Sequence, residues 1–185
     1  MLPASVGFMV LAHPIISTIF QRGKFDVYST NITANILFFY SIGLFAYGAK
    51  RILQSCFFAL KDTVTPTKVA AFSLVMNIIL NSVLIFPMKM GGIALATSLS
   101  GIISFFVLFF LLKKRIEPFG TEKIGFSFLR ILLASIGMGV VCYFFRALNL
   151  FLVILMGAVS YVIFCFLFRV EEIHQLRDWI RMRKI

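Results

Sequence analysis

The sequence predicts an all-α, polytopic integral membrane bundle of about six transmembrane helices, and three observations carry that prediction. Hydrophobic residues make up 61% of the 185-residue chain and charged residues 14%, with a mean hydropathy of +1.00. Ordinary globular chains hold about 45–50% apolar and about 25% charged residues. The apolar residues gather into runs of roughly the 20 residues that cross a bilayer core about 30 Å thick. The 18 cations, against 7 acids, concentrate in the connections and the tail.

The first element spans about 3–20. Met1 is followed by LPASVGFMVLAHPIISTIF, without the basic leader and small-residue cleavage site of a signal peptide. The chain thus begins inside a hydrophobic element, as expected of part of a longer protein. His13 precedes Pro14, which removes a backbone donor and predicts a mid-membrane kink. The freed carbonyl is the expected partner of His13, with a proton relay as the alternative. After QRGKFDVYST, the second element covers about 32–59 and carries Lys50 and Arg51 side by side. KDTVTP then reads as a short helix-to-helix turn, with Thr65 as N-cap, Pro66 at the first helical position and Asp62 accepting from backbone donors.

The third element, about 67–87, places Ser73, Asn77 and Asn81 on one stripe at a spacing of four. That stripe either joins helices or lines a wet cavity, and joining is the favoured reading. Past the short MKMG, the fourth element at about 92–112 carries Gly92, Ala96 and Ser100. The fifth, about 126–146 after KKRIEPFGTEK, repeats this small-residue spacing with Ser135 and Gly139, so both read as close-packing surfaces. The sixth runs over about 149–168, after RALN. Residues 169–185 form a basic tail with Ile173, Leu176 and Ile180 on one face beside Trp179, the pattern of a helix lying at the cytoplasmic interface.

Two adjacent cations inside an apolar run cost several kcal/mol when they face lipid. If the second helix leaves the bilayer near Gly48, Lys50 and Arg51 are snorkelling anchors. If it continues to Lys61, Arg51 lies ten residues, or about 15 Å, from the headgroups. It then requires a protein interior or an aqueous cavity, where its planar donor fork suits a phosphate or carboxylate. The apolar stretch from Ile52 to Leu60 favours the second reading.

Lys and Arg also set the orientation. With the first residue on the cytoplasmic side, twelve cations fall on the inside connections and tail and four on the opposite side, which predicts a cytoplasmic C-terminus. The net charge of +11 is then explained by positive-inside topology and anionic membrane lipids, and no nucleic-acid partner is expected. Two His and seven acids, with no acid convincingly inside a membrane element, provide no paired carboxylates, metal cluster, triad or phosphate loop. Neither enzymatic activity nor a cofactor nor a metal is expected. Cys56, Cys142 and Cys165 lie singly in apolar segments and read as small hydrophobes.

The order of IISTIFQRGKF, YSIGLFAYGAKRILQSCFFALKDTVTP and GGIALATSLS resembles the MurJ/MviN family of lipid II flippases, within the superfamily of multidrug and lipid-linked oligosaccharide exporters. The likeness is strongest over residues 3–112, FFALKDTVTP being its most specific part, and residues 126–185 match by hydropathy and position. The resemblance implies the last six of fourteen helices of a transporter that moves undecaprenyl-linked peptidoglycan precursor across a bacterial inner membrane. It implies Arg22, Gly23, Asp62, Thr65 and Pro66 as loop-motif residues and a basic residue at Arg51, with Lys50 beside it, as substrate-binding candidates. It further implies a hydrophobic groove for the polyprenyl tail along residues 126–168. The family's first eight helices are absent, so activity is expected to require that N-terminal portion in cis or in trans. Export of another lipid-linked saccharide or a drug, or a non-transporting scaffold role, are the alternatives.

Overall fold

The computed structural model describes residues 1–116, 121–146 and 148–168, and every regular element among them is helical. The helices are α1 (Leu2–Phe20), α2 (Val27–Ala59), α3 (Val64–Arg115), α4 (Thr121–Phe144) and α5 (Leu150–Leu167). Each contains a stretch long and apolar enough to cross a membrane. The tail expected to lie along the interface, residues 169–185, is outside the described residues.

α2 begins five residues before the expected start at 32. The Asp26 side chain accepts from the Ser29 backbone N–H at 2.8 Å, a cap that the hydropathy pattern does not register. The preceding connection turns at Gly23, whose φ of 60° is open to glycine without the penalty a Cβ would bring.

α3 is a helical hairpin. Its one interior break is Lys89, at φ 49° and ψ −128°, and the chain reverses there. Asn77 Nδ2 donates to Ser100 Oγ at 3.0 Å, a pair 23 residues apart that an unbroken helix would hold about 35 Å apart. The expected MKMG linker is therefore a single out-of-helix residue. The two arms press together at Gly92, where an added Cβ would sit 2.1 Å from the Leu84 carbonyl oxygen.

The polar stripe joins these arms. Asn77 also reaches Thr97 Oγ1 at 3.4 Å, and Asn81 Nδ2 donates to Asn77 Oδ1 at 2.8 Å. On the facing arm Gly92, Ala96 and Ser100 are all buried. Asn77 is bonded across the arms in a layer where lipid can supply no hydrogen bond, while Asn81 Oδ1 is buried without a partner among the described residues.

α1 occupies the centre, with α2 on one side and α4 on the other. α5 packs on α4 and touches α1, while α3 packs on α2. Ala12, Ile16 and Ala34 close the α1–α2 seam, Leu11, Met138, Cys142 and Val153 fill the space between α1, α4 and α5, and Leu53, Phe57, Val69, Leu108 and Leu112 join α2 to α3. Phe45 of α2 reaches both Phe105 of α3 and Phe128 of α4, with ring centroids 6.4 Å apart in each case. Large apolar side chains such as Phe86 and Phe151 point outward, as lipid-facing residues do.

His13 departs from its expected partner. Its Nε2 lies 3.1 Å from Asn31 Oδ1, so the ring links α1 to α2 through a side-chain amide. At Pro14 the Ser17 hydroxyl donates to the Pro14 carbonyl oxygen at 3.1 Å.

Candidate functional site

α2 runs unbroken from Val27 to Ala59. It does not leave the bundle at Gly48, because the backbone ladder continues and Leu53 and Phe57 remain buried against α3. Arg51 therefore sits about two turns from the helix end, on an exposed face, while Lys50 beside it is half-buried. A groove of about 670 Å³ opens at Arg51. Pro3 of α1, Phe45, Ile52 and Ser55 of α2, Phe128 of α4 and Tyr161 of α5 line it.

A second groove of about 440 Å³ adjoins this one. The two share Pro3 and Tyr161, and the second continues between α1, α4 and α5 past Leu11, Met138 and Ile154 with an almost wholly apolar lining. A cation thus stands at one end of a hydrocarbon-lined trough. That arrangement suits an amphiphile with an anionic head and an aliphatic chain. Asp26 and Asp62, the two acids with described side chains, are engaged elsewhere, so no described carboxylate pairs with Arg51.

The KDTVTP turn is organised by Asp62. Its Oδ1 accepts from the backbone N–H groups of Val64 and Thr65, both at 3.0 Å, and its Oδ2 accepts from the Thr65 hydroxyl at 2.6 Å. Oδ2 also pairs with the Arg115 guanidinium at the far end of α3. Thr65 is therefore not the cap: α3 begins at Val64, Thr63 is the formal N-cap without a side-chain bond, and the Asp62 carboxylate serves the first-turn donors. Pro66 is buried within the first turn, where its missing N–H costs nothing. Lys61, at φ 57°, takes the left-handed position that ends α2.

The Thr65 hydroxyl and backbone N–H, followed by Arg115, hold the Asp62 carboxyl down to about 2 from its ordinary 3.8. A carboxylate depressed in this way adds stability above its unfolded value and loses it as pH falls through the folded one. The thermal midpoint of the detergent-solubilised protein should therefore drop as pH is lowered from 3.8 toward 2. Asp62→Asn should remove that part of the slope and lower the midpoint by several degrees at neutral pH. An unchanged titration in the variant would contradict this role.

The sequence-predicted residues fall in three places. Arg51 lines the groove and Lys50, its neighbour on α2, does not; Asp62, Thr65 and Pro66 belong to the turn after α2, and Arg22 and Gly23 to the connection before α2, at the opposite end of a 33-residue helix. Sequence reasoning missed Arg115, which counted only as one cation in a basic run, and the groove residues Phe128 and Tyr161. Their pairings span 53 residues and more, and no local spacing announces them.

The profile of the family described as "Lipid II flippase MurJ" matches residues 1–162. A probable lipid II flippase MurJ of Thermotoga maritima is 35% identical over 180 residues, covering 95% of this chain and 36% of that protein. The lipid II flippase MurJ of Thermosipho africanus is 36% identical over 173 residues, covering 90% of this chain and 34% of that protein. A solved structure titled "Lipid II flippase MurJ, inward closed conformation" superposes with a TM-score of 0.81 at 33% identity, covering 93% of this chain and 36% of the other. The chain spans about a third of the length of each of these three relatives.

Proposed function

This chain belongs to the lipid II flippase MurJ family, and on that premise we propose that it supplies the C-terminal helices of a lipid II flippase. The transported molecule is the undecaprenyl-linked peptidoglycan precursor, carried from the cytoplasmic to the outer leaflet of a bacterial inner membrane. The chain crosses that membrane several times with its C-terminus in the cytoplasm, a reading supported by the distribution of Lys and Arg. The task is transport and needs no covalent chemistry from the protein.

One observation carries this reading. Unbroken α2 places Arg51 at a groove that passes into an apolar trough between α1, α4 and α5. The guanidinium is suited to a pyrophosphate through its fixed donor fork, and the trough is suited to a polyprenyl chain. The groove at Arg51 is open on one side, so the headgroup is enclosed only when the N-terminal helices of the full-length relatives, in cis or in trans, cover it. Depletion of the locus tests the function: lipid II should accumulate in the inner leaflet. An unchanged distribution between leaflets would overturn it.

A further inference from the structure

We propose that a groove between the start of α2 and the turn of the α3 hairpin binds a phosphate-ester headgroup, at a site separate from Arg51. The groove has a volume of about 500 Å³ and is lined by Tyr28, Asn35 and Phe39 of α2 and by Pro87, Lys89 and Gly91 of the hairpin. It lies at the Gly23 end of α2, opposite the Asp62 turn.

Three polar side chains converge on this groove. The Tyr28 phenol, the Asn35 amide and the Lys89 ammonium make no side-chain hydrogen bond or ion pair among the described residues, and all three residues are exposed. All can donate to an oxyanion, and the ammonium adds the charge. Phe39, Pro87 and Met88 give the groove an apolar wall on which the glycerol and first methylenes of an ester can lie. Arg22 and Lys24 in the neighbouring connection add positive potential, while Asp26 at the same end is engaged with the Ser29 N–H. A cationic, partly apolar groove at a membrane end is complementary to a phosphate carrying an organic substituent.

The backbone at Lys89 strengthens this assignment. Its φ of 49° with ψ of −128° lies where an L-residue is strained and glycine is not. Glycines stand two and three residues later, yet the strained position itself holds a lysine. Strain of this kind persists at ligand clamps, where the side chain supplies something glycine cannot. Lysine at this point trades stability for a cation at the lip of the groove.

The experiment is a thermal-shift titration of the native-length protein in neutral detergent. The probes are dihexanoyl-phosphatidylglycerol, dihexanoylglycerol without phosphate, and inorganic phosphate balanced against chloride at constant ionic strength. The native protein should show a saturable rise in midpoint with the phosphate ester and none with the phosphate-free lipid. A response to the ester alone identifies a lipid headgroup as the source, and an equal response to inorganic phosphate identifies a soluble one. Lys89→Gly should raise the unliganded midpoint by relieving strain and weaken ester binding by roughly tenfold or more, the loss expected for a charge-assisted contact. Lys89→Arg should retain binding, and Tyr28→Phe should weaken it without altering the unliganded midpoint. No saturable response in the native protein, or equal affinity in native protein and Lys89→Gly, overturns the proposal. None of these readings depends on transport, so they stand or fall apart from the function proposed above.

Discussion

Gly43→Leu is expected to part α2 from α3 and to leave little folded protein in the membrane. At Gly43 the two helices touch backbone to backbone: a Cβ there would lie 2.6 Å from Ser98 Cα and 2.8 Å from Ser98 Cβ and Oγ. The obstacle is main chain, so rotating a side chain away relieves nothing. The same contact holds Ser98 Oγ 2.7 Å from the Phe39 carbonyl oxygen, to which it donates, and Tyr47 donates across the seam to the Thr97 carbonyl at 2.9 Å. Separating the helices breaks both bonds in a layer with no water to replace them. The smaller Gly43→Ala should destabilise by about 1–3 kcal/mol through overpacking, and the leucine should exceed that several-fold. Gly125 is the internal control: it lies within α4 and an added Cβ meets nothing within 4 Å, so Gly125→Ala should leave the midpoint unchanged or slightly raised. Membrane-fraction yield and thermal midpoint of the three variants decide the matter. A Gly43→Leu protein as abundant and as stable as Gly125→Ala would show that the α2–α3 contact is not close.

The second large effect is expected at Arg51, on activity and not on folding. Arg51 is exposed on α2 and its side chain makes no ion pair with a described acid, so Arg51→Gln removes charge without opening a core. If the guanidinium meets a phosphate in the groove, its loss should cost about 1.5–3 kcal/mol, or roughly 10- to 100-fold in transport. Arg51→Lys should recover part of this, because a point charge remains while the planar fork is lost. Lys50→Gln should have the smaller effect, and the double variant should be the least active. Complementation of a depleted strain at native expression, with membrane abundance measured in parallel, distinguishes this from instability. Full complementation by Arg51→Gln at normal abundance would remove Arg51 from the substrate path and return it to the role of an anchor.

Legibility in the sequence followed the range of the interactions. Hydropathy located the helices because each apolar run must satisfy its own backbone wherever lipid surrounds it. The ends of those helices were less accessible. Asp26 started α2 five residues early, and Asp62, not Thr65, capped α3, since capping depends on which of several competent side chains the local backbone aims at the free N–H groups. The Ser73, Asn77 and Asn81 stripe was readable as a joining surface, and Asn77 does join the arms of α3, with Asn81 bonded to it on the same arm. For His13 the sequence supplied a neighbour, the carbonyl freed by Pro14, whereas the fold supplied a better-placed one in Asn31.

What the sequence determined by itself was the solvent and the family. A chain with 61% hydrophobic residues and few charges outside its connections can fold only where lipid bathes its surface, and the run FFALKDTVTP with its flanking motifs was sufficient to indicate the family. Tertiary structure alone decided that the reversal expected at MKMG narrows to the single residue Lys89, that Arg115 returns to Asp62 across 53 residues, and that Pro3, Phe128 and Tyr161 gather around Arg51. The physical reason is common to all three. Hydropathy and helix periodicity are set by neighbours within a turn or two, whereas a groove is set by the angles at which whole helices pack, and those angles depend on contacts such as Gly43 against Ser98 that join distant parts of the chain.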